Sequence, residues 1–169
     1  AHVVHALPAD LPFVAGAYAE PVAAALAVLR AGVTSAQHGV ICGDNRIARL
    51  LQKVLAARGF FQVPIRDASA LEPGAYDYVI EAGLSGDALR PMLRALRHGG
   101  KLVLKSRRHE PVALDVAEAV YREVTIQAVN YGSFPEAIAL LGELDLAELI
   151  GAERPLEAFE AVFADARRA

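Results

Sequence analysis

Tryptophan is absent, cysteine and methionine occur once each, and aromatic residues fill only 7% of the 169 positions. The single Cys42 excludes a disulfide framework and any multi-cysteine zinc site within the chain. Charge is scarce too, at 22% of residues with a net charge of −3. The only basic cluster, Lys105-Ser106-Arg107-Arg108, is too short for a groove-tracking surface, so the electrostatic footprint of a nucleic-acid binder is missing. No apolar stretch reads as both long enough and free enough of turn residues to span a membrane, and the N-terminus lacks the basic and apolar regions of a signal peptide. A soluble, cytoplasmic domain is the expectation.

What is present is aliphatic. Hydrophobic residues make up 54% of the chain, much of it alanine, which suits helices packed closely on a sheet. Residues 1–16 carry two prolines and read as an irregular lead-in. A helix is predicted over 17–30, with Pro21 in its first turn and Ala31-Gly32 as its stop. Gly39 to Gly43 reads as a buried strand, and Ile47 to Ala57 as a helix with Ile47, Leu50, Leu51, Val54 and Leu55 on one face, stopped by Gly59. The alternation repeats: strands over 60–65, 76–80, 101–104 and 123–129, helices over 87–96, 111–121, 135–144 and 155–166, and a tight stop at His98-Gly99-Gly100. Strands alternating with helices imply one α/β domain over residues 1–169, a doubly wound parallel sheet with helices on both faces.

In such a sheet, ligands sit outside the carboxyl ends of the strands, so the first strand-to-helix turn is the place to look. Here it reads Cys42-Gly43-Asp44-Asn45-Arg46-Ile47-Ala48. A dinucleotide fingerprint wants glycine at the positions of Gly43, Asn45 and Ala48. Gly43 is present, and Ala48 is small enough for close helix–strand packing. Asn45 departs, placing a Cβ where the backbone should approach a pyrophosphate, although Asn tolerates left-handed backbone angles. Asp44 adds an unhelpful negative charge that Arg46 is expected to offset. On the loop alone, a phosphate cradle and a junction that binds nothing stand level. The acidic residue expected about 20 positions on, to bond the ribose hydroxyls, falls at Arg66-Asp67. Asp67 favours NAD and Arg66 favours NADP; the pair does not decide.

Several stretches together resemble the nucleotide-binding half of the zinc-type, medium-chain alcohol and polyol dehydrogenases. They are Ala19-Glu20-Pro21-Val22 with Leu29-Arg30-Ala31-Gly32, Tyr76-Asp77-Tyr78-Val79-Ile80-Glu81-Ala82, Ala95-Leu96-Arg97-His98-Gly99-Gly100-Lys101-Leu102-Val103, Glu123-Val124-Thr125-Ile126, Ser133-Phe134-Pro135-Glu136-Ala137, and Pro155-Leu156-Glu157-Ala158-Phe159. The resemblance implies a Rossmann-type fold and a nicotinamide dinucleotide, NAD or NADP, with its ring near Ala82, Gly83 and Leu104 to Ser106. It implies a homodimer through Glu123 to Val129. It also implies a catalytic zinc domain that this chain does not contain, so the chain is either part of a longer protein or a relative that lost that domain. Glu20 matches a position near the catalytic zinc in polyol-type members, or is simply a carboxylate favourable to a helix N-terminus. No zinc site can be assembled from this chain alone: His2 and His5 lie in the lead-in without a third ligand, and His38, His98 and His109 are scattered. No catalytic residue is assigned, and the chain by itself is expected to bind but not turn over. The competing expectation is a degenerate, non-catalytic module kept for dimerisation or domain positioning.

Overall fold

The computed structural model describes residues 4–84, 89–107 and 110–166. Five strands, β1 (Gly39–Cys42), β2 (Ile65–Arg66), β3 (Tyr76–Glu81), β4 (Leu96–Leu104) and β5 (Thr125–Ala128), form one sheet in the order β2-β1-β3-β4-β5. Every pairing is parallel, with Ile41 opposite Ile65, Val40 opposite Val79, Ile80 opposite Val103 and Leu102 opposite Ile126. The chain therefore has a Rossmann-like α/β fold.

Side chains alternate across the pleat and build a core on each face. Ile41, Tyr78, Ile80 and Val103 point to one face, which α2 (Ala19–Leu26), α3 (Arg46–Ala57) and α6 (Phe134–Leu141) cover. Val40, Cys42, Val79 and Leu102 point to the other, covered by α4 (Leu89–Ala95), with Ala119 of α5 (Val116–Tyr121) packed at its margin. In α3 the buried set is Ala48, Leu50, Leu51, Val54 and Leu55, a helical stripe, and each fully buried leucine contributes about 1.5–3 kcal/mol. Two further helices complete the order, α1 (Phe13–Gly16) and α7 (Phe159–Ala166), the latter behind a 3-10 turn at Leu156–Ala158.

Four expectations need correction. The strand anticipated over 60–65 is confined to Ile65–Arg66, because Gly59 ends α3 in a left-handed conformation and Phe60 N–H turns back to Leu55 O (2.9 Å). Phe60 is thereby pulled into the core, and Pro64 has no N–H for the ladder. His98-Gly99-Gly100 does not stop the chain before a strand but lies inside β4 as a bulge: Tyr76 faces Leu96, Tyr78 faces Lys101, and Gly99 takes φ 71°. The first helix is shorter than 17–30, tightening into a 3-10 turn over Ala27–Ala31, and the last two helices are trimmed at their starts or ends. Lastly, the helical stretch Phe13–Ala31 does reach 19 residues and is long and apolar enough for a membrane span, by length and composition only, since Pro21 falls early in α2 and interrupts nothing. Its inner face, Val22, Ala23, Ala25, Leu26 and Val28, belongs to the core on the sheet. The start anticipated for the fourth helix, at Asp87, lies outside the described residues.

Candidate functional site

The connections from β1 and β3 diverge to opposite faces of the sheet, opening a crevice at their carboxyl ends. Gly43 sits in it at φ 134°, with its N–H on Arg66 O (3.0 Å), while Ala82 N–H bonds Cys42 O (2.9 Å). A Cβ at Gly43 would lie 3.3 Å from Gly83 N and 3.4 Å from Ala82 C, so glycine is what lets the two loops approach.

Asn45 fills the gap between them. Its backbone is extended, at φ −150° and ψ 175°, and the anticipated left-handed tolerance is not used. As N-cap of α3 its side-chain oxygen accepts from Ala48 N–H (2.9 Å), and its amide nitrogen donates to Ala82 O (2.8 Å). One side chain thus satisfies a helix-end N–H that a phosphate would otherwise engage and also bridges the crevice. Arg46 does not offset Asp44. Its guanidinium reaches the Tyr18 hydroxyl (2.8 Å) and the Leu149 carbonyl, tying α3 to the α1–α2 junction and the 145–150 segment. Arg49, one turn on from the loop, pairs with Asp44 instead (3.3 Å), both side chains being exposed. Ile47 is partly exposed at the first turn, and Ala48 is fully buried against the sheet.

Arg66 ends β2 and Asp67 follows it, and both side chains are engaged locally. The Arg66 guanidinium donates to its own Ile65 O (3.1 Å). Asp67 caps the 3-10 turn Ala68–Ala70, with one oxygen accepting from Ser69 Oγ (2.6 Å) and Ser69 N–H (2.9 Å), and these bonds hold its carboxyl below the ordinary carboxylate range.

The opposite side of the crevice is better furnished. A cavity of about 350 Å³ lies between α2 and the ends of β3 and β4, lined by Glu20, Ile47, Ala82, Lys105, Ser106 and Arg107, among others. Beneath it is Glu81, which no sequence argument had singled out. It is completely buried, and its Oε2 accepts from Lys105 N–H (3.2 Å) and Ser106 N–H (3.0 Å), tying the tips of β3 and β4 together. The signal was available: an acidic residue closes an otherwise apolar strand, YDYVIE. Lys105 is buried as well, its ammonium donating to Asn130 O (3.2 Å). Burial lowers its pKa, helped by Arg107 and opposed by Glu20 and Glu81. Arg107 bonds Asn130 Oδ1 (2.9 Å), stacks on the Tyr131 ring (4.7 Å) and lies 3.7 Å from Glu20. The Ser106 hydroxyl is buried with no partner among the described residues.

No cluster of three or more metal-ligating side chains exists among the described residues. His5 stacks on Phe134, His38 bonds Ala75 O (2.9 Å), and His98 meets Glu123 (3.2 Å); His2 and His109 lie outside the described residues.

An open, all-parallel sheet with a glycine turn after β1 and a cavity at the ends of β3 and β4 is the frame of a Rossmann-like fold. The comparisons specify it further. No protein-family profile matches the chain. A protein of Agrobacterium fabrum provisionally named a D-xylulose reductase is 26% identical over 185 residues, covering 89% of this chain and 53% of that protein. Among solved structures, galactitol-1-phosphate dehydrogenase of Escherichia coli is 23% identical with a TM-score of 0.76, over 98% of this chain and 60% of its own. A protein of Escherichia coli described as a short chain alcohol dehydrogenase, complexed with NADH, reaches a TM-score of 0.79 at 15% identity, over 95% and 57%. A zinc-binding dehydrogenase of Sinorhizobium meliloti, so named provisionally and bound to NADP, gives 0.69 at 20% identity, over 84% and 53%. The chain thus spans about half the length of the curated relative it matches, and it shares its fold with part of each of these solved dehydrogenase structures.

Proposed function

We propose that the chain serves as the nicotinamide-cofactor half of an NAD(P)-dependent alcohol or polyol dehydrogenase. The observation that carries this is the 350 Å³ cavity beside Ala82, Lys105, Ser106 and Arg107, at the strand ends where such a sheet receives its ligand. The ring end fits the group: Ser106, whose buried hydroxyl has no partner among the described residues, lines it with the Lys105 and Arg107 cations and the small Ala82, and Gly83 follows at the end of β3. When bound, the nicotinamide supplies hydride chemistry; this chain's residues orient the ring and screen it from water. Gly43, Asp44, Asn45, Arg46, Ile47 and Ala48 form the loop, and Arg66 and Asp67 the far end, where NAD and NADP stay undivided. Zinc belongs to this reading only if another segment or chain supplies its ligands. Neighbours bound to NADH and to NADP support a dinucleotide of one kind or the other.

The same reading pairs two copies through Glu123 to Val129. It is supported by the position of β5 at the edge of the sheet, where Thr125, Ile126 and Ala128 are exposed. It places the protein in the cytoplasm, for which the lone, buried Cys42 is the support. A second reading, a non-catalytic module retained for assembly, is favoured by one specific feature: the two hydrogen bonds by which Asn45 closes the phosphate crevice. Fluorescence titration with NADH and NADPH separates them. Saturable binding supports the cofactor domain; silence up to millimolar concentration, with a dimer in sedimentation, supports the module.

A further inference from the structure

The two halves of the crevice are unequal. A full dinucleotide sheet joins two mononucleotide-binding halves in the strand order 3-2-1-4-5-6. Here the order β2-β1-β3-β4-β5 keeps three strands on the ring side and leaves only the two-residue β2 beyond β1 on the other. The link from β2 to β3 is residues 67–75, with a single 3-10 turn, where a parallel crossover ordinarily needs a dozen residues or more and a helix. Ala68, Leu71 and Ala75 of that link pack on the cluster containing Val40 and Cys42, plugging the face a helix would cover.

What remains at the adenosine end is exposed and self-engaged, with Asp67 on Ser69 and Arg66 on its own strand. Asn45 closes the passage between the ends. At the ring end the cavity of about 350 Å³ is near the lower bound for small-molecule sites. Two cations stand on its wall, Lys105 and Arg107, against the Glu20 carboxylate 3.7 Å from Arg107 and the Glu81 carboxylate, whose Oε2 accepts from backbone N–H groups while its buried Oε1 has no partner among the described residues.

We infer that this chain is a half-site: it takes one nicotinamide mononucleotide unit, ring, ribose and a single phosphate held by Lys105 and Arg107, and gives the adenosine half of a dinucleotide no grip. This rests on the ring-site reading above. The test titrates the 169-residue chain with NADH and with reduced nicotinamide mononucleotide, using ADP-ribose as competitor. The mononucleotide should bind at least as tightly as NADH, within about threefold, and ADP-ribose should displace neither. Lys105→Met should weaken the mononucleotide about tenfold, the loss of one charge-assisted bond. Arg107→Gln gives the same information on a more exposed residue if Lys105→Met does not fold. NADH binding tenfold or more above the mononucleotide, or displacement by ADP-ribose, overturns the half-site and leaves the cofactor-domain reading standing. Failure of both nucleotides to bind overturns the two together. Unchanged mononucleotide binding in both cation variants overturns the phosphate placement.

Discussion

Replacing Asn45 separates its work as a cap from its effect on ligand entry. In the native chain the side chain accepts from Ala48 N–H at 2.9 Å and donates to Ala82 O at 2.8 Å. Asn45→Gly loses both, but glycine is a tolerated N-cap, so the cap itself costs a few tenths of a kcal/mol. The bridge to Ala82 is worth about 1 kcal/mol and the added backbone freedom about 0.5–1. The sum, about 2 kcal/mol, lowers Tm by about 4–8 °C in a domain of this size. Asn45→Ala loses the cap for about 1 kcal/mol and the bridge for about the same, so its Tm should fall equally. The two variants part in binding. Only the glycine clears the Cβ from the crevice while freeing Ala48 N–H for a phosphate, and one charge-assisted bond of about 1.5 kcal/mol tightens NADH about tenfold. Differential scanning fluorimetry and NADH titration of the three proteins provide both readings. Equal NADH affinity across them would refute the view of this loop as a phosphate cradle. A native Tm in both variants would refute the two hydrogen bonds as contributors to stability.

The remaining expectations concern the packing beneath the site. Glu81→Ala orphans the Ser106 N–H and leaves the Lys105 N–H with the Glu81 main-chain oxygen alone (3.2 Å), so it should cost about 1–3 kcal/mol, a Tm loss of about 2–12 °C, with Glu81→Gln milder because it keeps an acceptor. Gly39→Ala would drive a Cβ into the ring of Tyr78, which is fully buried and cannot swing away; the loss should reach about 3 kcal/mol in urea unfolding, and Tyr78→Leu in the same chain should recover part of it. Burial, with Asp67 and Glu81 nearby, pushes the Cys42 thiol from 9.0 up to about 12. Folding therefore keeps a proton that the unfolded chain releases above pH 9.0, so this contribution is complete below that pH and is lost as pH rises toward about 12, at up to about 1.4 kcal/mol per unit. Urea unfolding of native protein and Cys42→Ala between pH 8 and 11 should show a shallower decline in the variant; parallel curves would contradict the assignment.

Much of this architecture was legible in the residues. The stripe Leu50, Leu51, Val54 and Leu55, the apolar runs at β1 and β3, and the stops at Gly32 and Gly59 report local periodicity and backbone freedom, which the chain carries wherever it folds. Phe60 to Ile65 misled because a run of apolar residues serves a strand or a helix stop folding back on the core equally well. Arg46 misled for a related reason: its partners, Tyr18 and Leu149, lie 28 and 103 residues away, and nothing local favours them over Asp44.

The sequence by itself determined the alternation of strands and helices, the parallel sheet and the glycine turn after β1, because these follow from short-range patterns of size, polarity and φ. Only the tertiary structure decided what Asn45 does with its side chain, that Glu81 is buried as the clasp between β3 and β4, and that β2 borders β1 with no strand beyond it among the described residues. Those outcomes depend on which distant backbone groups need a partner once water is gone, and spacing along a chain does not encode that.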